Sequence, residues 1–193
     1  MKINNNTQVK GPNVTLVPYR KHHVPKYHMW MTSEELQKLT ASEPLTLQQE
    51  YEMQKSWQED EDKCTFIILE KSTSNDEIDT MIGDTNIFIT DKINNIGEIE
   101  IMIAEITARG KKYGWEAVIL MLLYGIKYIN LRIYEAKISL HNLISIQMFK
   151  KLGFIEKSKS EVFQELTLEK VVTKDWIIWL ENECKYTIDN YYN

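Results

Sequence analysis

The segment between residues 97 and 154 contains the side chains best suited to chemistry. Arg109 opens the run Arg-Gly-Lys-Lys-Tyr-Gly, which ends at Gly114 and precedes an apolar stretch from Trp115 to about Ile129. A loop with small residues and positive charge, placed before the first turn of a helix, can bind an anion, because the helix start presents free N–H groups and the positive end of its dipole. The sequence therefore predicts that a phosphorylated cofactor binds at residues 109–114.

Two glutamates precede this loop on a predicted strand. Alternate residues of a strand share a face, so Glu98, Glu100 and Met102 point to the same side. Two carboxylates about 7 Å apart on one face can raise each other's pKa modestly, which suits a general base. We expect at least one of the two glutamates to have this role; the alternative is a pair of solvated acids on a half-exposed strand.

A second group of residues follows the next predicted strand. Asn142 is placed to cap the start of a helix, and Ser145 lies at the third position of its first turn. Gly153 is placed to end that helix. The sequence therefore predicts a short helix from Asn142 to Leu152, with Phe149 on its length.

These residues need a framework of strands and helices, which hydrophobic patterns and capping signals predict. Strands are predicted at residues 14–17, 64–69, 81–90, 97–104, 131–139, 155–158 and 162–172. Helices are predicted at residues 22–31, from 33 for a short distance, and at 46–58, 115–129, 142–152 and 175–186, with a polar hairpin loop at 71–79. This order indicates an α/β fold with a central mixed sheet and helices on both faces.

The two motifs, in this order and with a helix and a strand between them, resemble those of the GNAT family of acetyl-CoA-dependent N-acetyltransferases. The family's pyrophosphate loop, Arg/Gln-x-x-Gly-x-Gly/Ala, matches at Arg109 and Gly114, and Lys112 stands where the family usually has glycine. The family's later signature, Asn-x-x-Ser-x-x-x-Phe/Tyr-x-x-x-Gly-Phe, matches from Asn142 to Phe154. Segments nearer the start are similar to the N-acetyltransferase 9 branch, the alpha/beta-tubulin N-acetyltransferases. The resemblance implies the GNAT acyl-CoA N-acyltransferase fold.

The resemblance also implies a role for each motif residue. Backbone N–H groups of the loop would face the pyrophosphate, and the end of the preceding strand would pair with the pantetheine amides. Ser145 would give a proton to the departing thiolate, while Phe149 would be an apolar wall for the cofactor or plain core. The residues implied in cofactor binding are Met102, Ile103, Ala104, Arg109, Gly110, Lys111, Lys112, Tyr113, Gly114, Asn142 and Phe149. Those implied in catalysis are Glu98, Glu100 and Ser145.

The implied activity is direct transfer of acetyl from acetyl-CoA to a protein amine, with an N-terminal amine as acceptor and tubulin as the substrate of this branch. Acetylation of a small amine or a ribosomal protein on the same scaffold is one alternative. Another is a catalytically weak GNAT-like protein that binds CoA or microtubules, because Lys112 replaces a glycine and Phe149 cannot donate a proton.

Composition restricts the other possibilities. The 193 residues fit one domain, with a core at about 13–172 and a C-terminal helix at about 173–188. The net charge of −5, without clustered Lys and Arg, does not indicate nucleic-acid binding. Cys64 and Cys184 are too few for a disulfide framework or a zinc site, so we expect no metal and a cytoplasmic location. The apolar stretch 115–129 is shorter than the ~20 residues of a membrane span, so we expect no membrane association.

Overall fold

The computed structural model describes residues 2–74 and 76–191; Met1, Asn75, Tyr192 and Asn193, which belong to the predicted domain 1–193, lie outside the described residues. The strands are β1 (Thr7–Lys10), β2 (Val14–Pro18), β3 (Lys63–Glu70), β4 (Met81–Asp91), β5 (Ile96–Ile103), β6 (Ile133–Ser139), β7 (Ile155–Ser160), β8 (Glu165–Val171) and β9 (Thr187–Asn190). These nine strands form one sheet in the order β7-β8-β6-β5-β4-β3-β2-β1-β9.

Helices cover the sheet on both sides, which confirms the predicted mixed sheet flanked by helices. They are α1 (Val24–Met31), α2 (Glu34–Thr40), α3 (Leu47–Glu59), α4 (Glu77–Thr80), α5 (Tyr113–Tyr124), α6 (Leu143–Lys151) and α7 (Lys174–Glu183). Several start where the sequence places a capping residue. Thr46 and Gln49 form a reciprocal capping box at α3, and Ser33 accepts a hydrogen bond from the N–H of Leu36 at α2.

Strands β5 and β6 are parallel to each other and adjacent for only a short distance. Their pairs are Ile96 with Ile133, Gly97 with Tyr134 and Glu98 with Glu135. All the other paired strands of the described residues are antiparallel. Beyond Glu98 the two strands separate, so the β6-facing edge of residues 99–103 has no strand partner there. This opening in the sheet lies beside the predicted cofactor loop.

The alternation of side chains along the central strands divides the core into two. On one face, α5 packs with α7, and residues 117–124 are all buried because the sheet lies on one side and α7 on the other. On the opposite face, α1, α2 and α3 cover Ile67 of β3 and Met102 of β5. The face that bears Met102 is therefore the one that also bears Glu98 and Glu100.

The structure corrects the sequence expectations at one end of the sheet and in two of the helices. The terminal helix ends at Glu183 rather than near residue 186 or 188, and Thr187–Asn190 form β9, which pairs with β1. The strands β1 and β9, which have four residues each, were not predicted, because they form through backbone pairing and show little alternation of apolar and polar residues. The short helix α4 lies within the predicted hairpin loop and is capped by Asp76. Helix α5 begins at Tyr113, and its expected second part is a π-helical segment, Gly125–Ile129.

No helix among the described residues is both long enough and apolar enough to span a membrane.

Candidate functional site

The loop before α5 has the backbone shape that an anion site needs. Gly110 has φ +77°, and Lys112 is left-handed with φ 65° and ψ 11°. Glu116 donates the first helical hydrogen bond, to the carbonyl of Lys112 at 3.0 Å. The N–H groups of Tyr113, Gly114 and Trp115 therefore have no acceptor within the helix. Three aligned donors at a helix start suit a phosphate group.

The space around Gly114 fits a group that approaches the backbone closely. A Cβ atom built on Gly114 would contact only the side chain of Ile103, at 3.4 Å and 3.9 Å. A side chain there is therefore compatible with the protein's own packing but would fill the space in front of the donors. A Cβ atom at residue 110 would meet open space, so the positive φ alone explains why this residue is a glycine. These residues fit the pyrophosphate of acetyl-CoA.

Arg109 is engaged by the protein itself. Its Nε donates to the carbonyl oxygen of Ile103 at 3.1 Å, and its Nη1 lies 2.8 Å from Oε1 of Glu35 on α2. The guanidinium thus connects the cofactor loop, the end of β5 and α2. Its contact with a phosphate stays a prediction.

Two backbone groups at the end of β5 already have partners within the protein, and pantetheine binding at residues 102–104 stays a prediction. The N–H of Ala104 donates to the carbonyl of Ile82 at 2.9 Å, and the carbonyl of Ile103 accepts from Arg109. The remaining backbone groups of this segment, on the side where β6 has separated, are the ones that can pair with an amide.

Glu98 and Glu100 share a face as predicted, but their surroundings differ. Oε2 of Glu98 lies 2.6 Å from Nζ of Lys137 on β6, and the Glu98 side chain is only 13% exposed. The carboxylate of Glu100 forms no hydrogen bond or ion pair with the described residues. Glu100 is exposed to water, yet burial by the surrounding protein raises its pKa, and Lys63 only partly opposes this. Glu100 lies two residues beyond the last β5–β6 pair, at the opening between the two strands, which we call the cleft.

Two buried polar residues on β4 face these glutamates, and the sequence analysis did not identify them. Asp84 pairs with Met102 across the strands, and Asn86 pairs with Glu100. Thr65 Oγ1 donates to Asn86 Oδ1 at 2.5 Å, and Asn86 Nδ2 donates to Asp84 Oδ2 at 2.8 Å. Asp84 is 2% exposed, and burial raises its pKa to about 7. An acid inside a predicted strand was the available signal.

Helix α6 confirms the predicted cap. The N–H of Ser145 donates to Oδ1 of Asn142 at 3.1 Å, which leaves the Asn142 amide Nδ2 and the Ser145 hydroxyl available. Phe149 is 2% exposed and packs edge-to-face on Phe154, with ring centroids 5.0 Å apart. Phe149 therefore packs α6 onto the sheet. Its contact with the cofactor stays a prediction.

A second polar cluster consists of two histidines and a glutamate. Nε2 of His22 and Nε2 of His23 lie 2.9 Å and 2.6 Å from Oε1 of Glu77, and the hydroxyl of Tyr191 donates to the same oxygen at 2.8 Å. Nδ1 of His23 accepts the N–H of Arg20 at 2.9 Å, so Nε2 carries the proton and donates to Glu77. A metal bound at Nε2 would require the opposite tautomer. The cluster is therefore a hydrogen-bond centre that fastens the C-terminal residues to the start of α1.

Comparison with known proteins agrees with this geometry. Residues 13–155 match the family described as "Acetyltransferase (GNAT) domain". The chain is 47% identical over 199 residues to "Alpha/beta-tubulin-N-acetyltransferase 9" of Drosophila melanogaster, covering 99% of this chain and 100% of the relative. It is 50% identical over 199 residues to the Homo sapiens protein of the same name, covering 100% of this chain and 96% of the relative.

Solved structures give the same fold at much lower identity. Spermidine N-acetyltransferase from Vibrio cholerae, in complex with CoA and spermine, superposes with a TM-score of 0.72 at 14% identity, covering 86% of this chain and 98% of that one. The family match spans most of the chain, and the relatives are similar over its whole length. The chain therefore belongs to the GNAT acetyltransferase family, in its N-acetyltransferase 9 branch, and is an N-acetyltransferase.

Proposed function

We propose that the protein transfers acetyl from acetyl-CoA directly to the N-terminal amine of a protein, with Glu100 as the general base. One observation carries this proposal: Glu100 is the glutamate of the pair without a partner among the described residues, and it lies at the opening between β5 and β6. Bound acetyl-CoA supplies the activated acetyl group.

The cofactor grip would come from the loop and α6. The N–H groups of Tyr113, Gly114 and Trp115 can bind phosphate oxygens, and the Lys112 ammonium adds a charge-assisted contact. The free amide Nδ2 of Asn142 is a donor for the pantetheine. Lys111 and Arg109 place further positive charge near the loop, and Arg109 is held there by its ion pair with Glu35.

Proton transfer would be divided between β5 and α6. Glu100 takes a proton from the acceptor's ammonium group, so that the amine can attack. Its raised pKa makes it a better base than an ordinary glutamate. Glu98 is held by Lys137 and contributes to the charge of the cleft rather than to proton removal. The Ser145 hydroxyl gives a proton to the departing thiolate.

The acceptor class rests on the relatives. Their printed names identify alpha/beta-tubulin as what they act on, and their identity of 47% and 50% spans nearly the whole chain. We therefore propose a tubulin-like N-terminus as acceptor, in the cytoplasm, with one domain over the chain and no requirement for metal, membrane or nucleic acid. Both cysteines are free and buried, which suits a reducing compartment.

A second candidate, a protein that binds CoA without turnover, is favoured by Phe149. Its ring is buried in the core and cannot donate a proton. In that case the loop would still bind CoA, but no acceptor would be acetylated.

The test uses three acceptors with purified protein and acetyl-CoA. The first is a peptide that begins Met-Arg, has a free α-amine and contains one internal lysine. The second is the same peptide with a blocked α-amine, and the third is spermidine. Mass spectrometry should locate the acetyl group on the free α-amine only. Modification of the lysine, modification of spermidine alone, or CoA binding by calorimetry without any product would each contradict the proposal.

A further inference from the structure

Two polar contacts join the segment between β5 and the cofactor loop to the helices α1 and α2. The indole Nε1 of Trp30 on α1 donates to Oε1 of Glu105 at 2.8 Å, which satisfies the polar atom of a buried side chain. Nη1 of Arg109 lies 2.8 Å from Oε1 of Glu35 on α2, and these side chains are 34% and 57% exposed. An ion pair this exposed contributes little to stability, so stability alone does not explain it.

The guanidinium of Arg109 is held at two of its three nitrogens. Nε donates to the carbonyl of Ile103 at 3.1 Å, and Nη1 pairs with Glu35. Because a guanidinium is planar and presents its N–H donors in a fixed geometry, two contacts set the orientation of the whole group. Nη2 has no hydrogen-bond partner among the described residues. Arg109 therefore has donors left for another group, and the two contacts decide where these donors point.

The fixed guanidinium lies next to the free N–H groups of the cofactor loop. Ile103 is the neighbour that they share. Its carbonyl accepts from Arg109, and its side chain lies 3.4 Å from a Cβ atom built on Gly114. Nη2 and the first turn of α5 thus border the same end of β5. A phosphorylated group at this helix start would have both kinds of donor beside it.

Helix α2 is a firm support for Glu35. Ser33 caps the helix, and Leu36 is buried in the core beneath it. Nε2 of Gln37 donates to the carbonyl of Met31 at 2.6 Å, which fastens α2 to the end of α1. Glu35 lies in the first turn between these anchored residues, where the helix dipole also favours its carboxylate.

Fixing Arg109 before the cofactor arrives has an energetic consequence. A mobile arginine must be ordered when it binds a phosphate, and this loss of side-chain entropy reduces affinity. The contacts with Glu35 and Ile103 order the guanidinium in the free protein, so less entropy is lost on binding. The negative charge of Glu35 acts in the other direction, because it repels a phosphate. Water and salt screen this repulsion at an exposed side chain, whereas they do not change the fixed geometry.

We propose that Glu35 is a positioning residue for the cofactor that acts through Arg109. It holds the guanidinium so that Nη2 is directed at the pyrophosphate of acetyl-CoA, and Glu35 itself does not contact the cofactor. No covalent bond changes and no proton moves. This inference rests on the proposed binding of the pyrophosphate at residues 109–114.

The first experiment separates position from charge by comparing two neutral variants. Glu35→Gln keeps an oxygen that can accept from Nη1 of Arg109, whereas Glu35→Ala removes it. We expect Glu35→Ala to bind CoA about 2- to 10-fold more weakly than Glu35→Gln in calorimetry, as ordering one long side chain requires. The two substitutions should bind CoA equally when they are combined with Arg109→Ala. Urea unfolding confirms that the variants are folded.

Two results of this experiment would overturn the proposal. One is equal CoA affinity in Glu35→Ala and Glu35→Gln. The other is a difference that persists in the Arg109→Ala background, because a merely structural role of Glu35 would not depend on the arginine. Calorimetry uses no acceptor, so either result leaves the acetylation test of the proposed function undecided and separate.

Hydrogen exchange gives a second readout on the wild-type protein. If Arg109 stays on Glu35 while it binds phosphate, CoA should slow the exchange of the α2 amides. The same experiment on Arg109→Ala is the control, and CoA should not slow exchange in α2 there. Faster exchange in wild type would mean that phosphate removes Arg109 from Glu35. That result, or exchange that CoA does not change, would overturn the proposal.

Discussion

Lys137 holds Glu98 by an ion pair of 2.6 Å, so that two glutamates which look equivalent along β5 differ in the folded protein. The lysine lies on β6, where this strand begins to separate from β5. Glu98 is mostly covered and paired, whereas Glu100 projects into the cleft without a partner among the described residues. The separation of the two strands therefore divides the pair into a charge-neutralised acid and a candidate base.

Gly114→Val should weaken CoA binding while the protein stays folded. The new side chain has room in the protein, since its Cβ would contact only Ile103 at 3.4 Å. It would nevertheless block the approach of a phosphate to the N–H groups of the first turn. Calorimetry with CoA measures the effect, and Gly114→Ala should show a smaller loss. Unchanged affinity in a folded Gly114→Val variant would remove the loop from the cofactor site.

Lys112→Gly should separate backbone strain from phosphate contact. Lys112 has φ 65°, a left-handed conformation that is unfavourable by roughly 1 kcal/mol for a residue with a Cβ atom. The variant should therefore unfold at an equal or higher urea concentration. If the ammonium contacts phosphate, CoA affinity should be equal or weaker, with the difference greatest at low salt. Clearly tighter CoA binding would mean that the lysine obstructs the site.

Ser145→Ala tests the proposed proton donor without disturbing the helix cap. The cap uses the backbone N–H of Ser145 and Oδ1 of Asn142, so it survives the loss of the hydroxyl. We expect kcat to fall more than the acetyl-CoA KM rises, because a donor to the thiolate acts mainly in the transition state. Asn142→Ala is the contrasting variant, which should lose about 1 kcal/mol of stability with its cap. An unchanged kcat in Ser145→Ala would exclude the hydroxyl from proton transfer.

The histidine–glutamate centre should make stability depend on pH. Burial outweighs the Glu77 hydrogen bond and lowers the pKa of His23 below its ordinary 6.5. Burial of Glu77 is outweighed in turn by its hydrogen bonds to His23, His22 and Tyr191, which lower its pKa to about 2. In both cases the unfolded chain binds the proton first. The stabilisation is therefore complete above about pH 6.5 and is lost on acidification, first through His23 and then, below about pH 4.5, through Glu77.

Asp84 changes the free energy of unfolding with pH in the opposite direction, because burial raises its pKa. The stability of wild type is therefore compared with that of a His23 variant, so that the contribution of Asp84 cancels. Urea unfolding of wild type and His23→Gln is compared at pH 7.5 and pH 5.5. The stability difference between the two proteins should shrink toward the lower pH, by at most ~1.4 kcal/mol per pH unit. A difference that is the same at both values would mean that His23 does not titrate in this range.

Signals from neighbouring residues predicted most of the helices, including the one that follows the cofactor loop. The run from Trp115 onward, the Thr46 and Gln49 capping box and the Asn142 cap each depend on neighbouring residues, so they are visible in sequence. Strands β1 and β9 were not predicted, because residues 7–10 and 187–190 pair through their backbones across almost the whole chain.

The different environments of Glu98 and Glu100 could not be predicted from the sequence either. Glu98 and Glu100 have the same chemistry and the same face, and only the position of Lys137 on another strand distinguishes them. Asp84 lies inside a strand, but the residue that it faces across the sheet depends on the register of β4 and β5. The ion pair of Arg109 with Glu35 joins the cofactor loop to a helix that is distant in sequence. Each of these relationships joins residues that are distant in sequence.

The central claim is that Glu100 is the base of an acetyl-CoA-dependent N-terminal acetyltransferase. It is tested most directly by steady-state kinetics of wild type, Glu100→Gln and Glu98→Gln on a free Met-Arg peptide. We predict that Glu100→Gln lowers kcat by about 10²–10⁴-fold, as for a direct acid–base group, that Glu98→Gln lowers it less, and that the double variant is lowest. CoA binding should be unchanged in all three variants. Wild-type turnover in the double variant, or a larger loss in Glu98→Gln than in Glu100→Gln, would contradict this account.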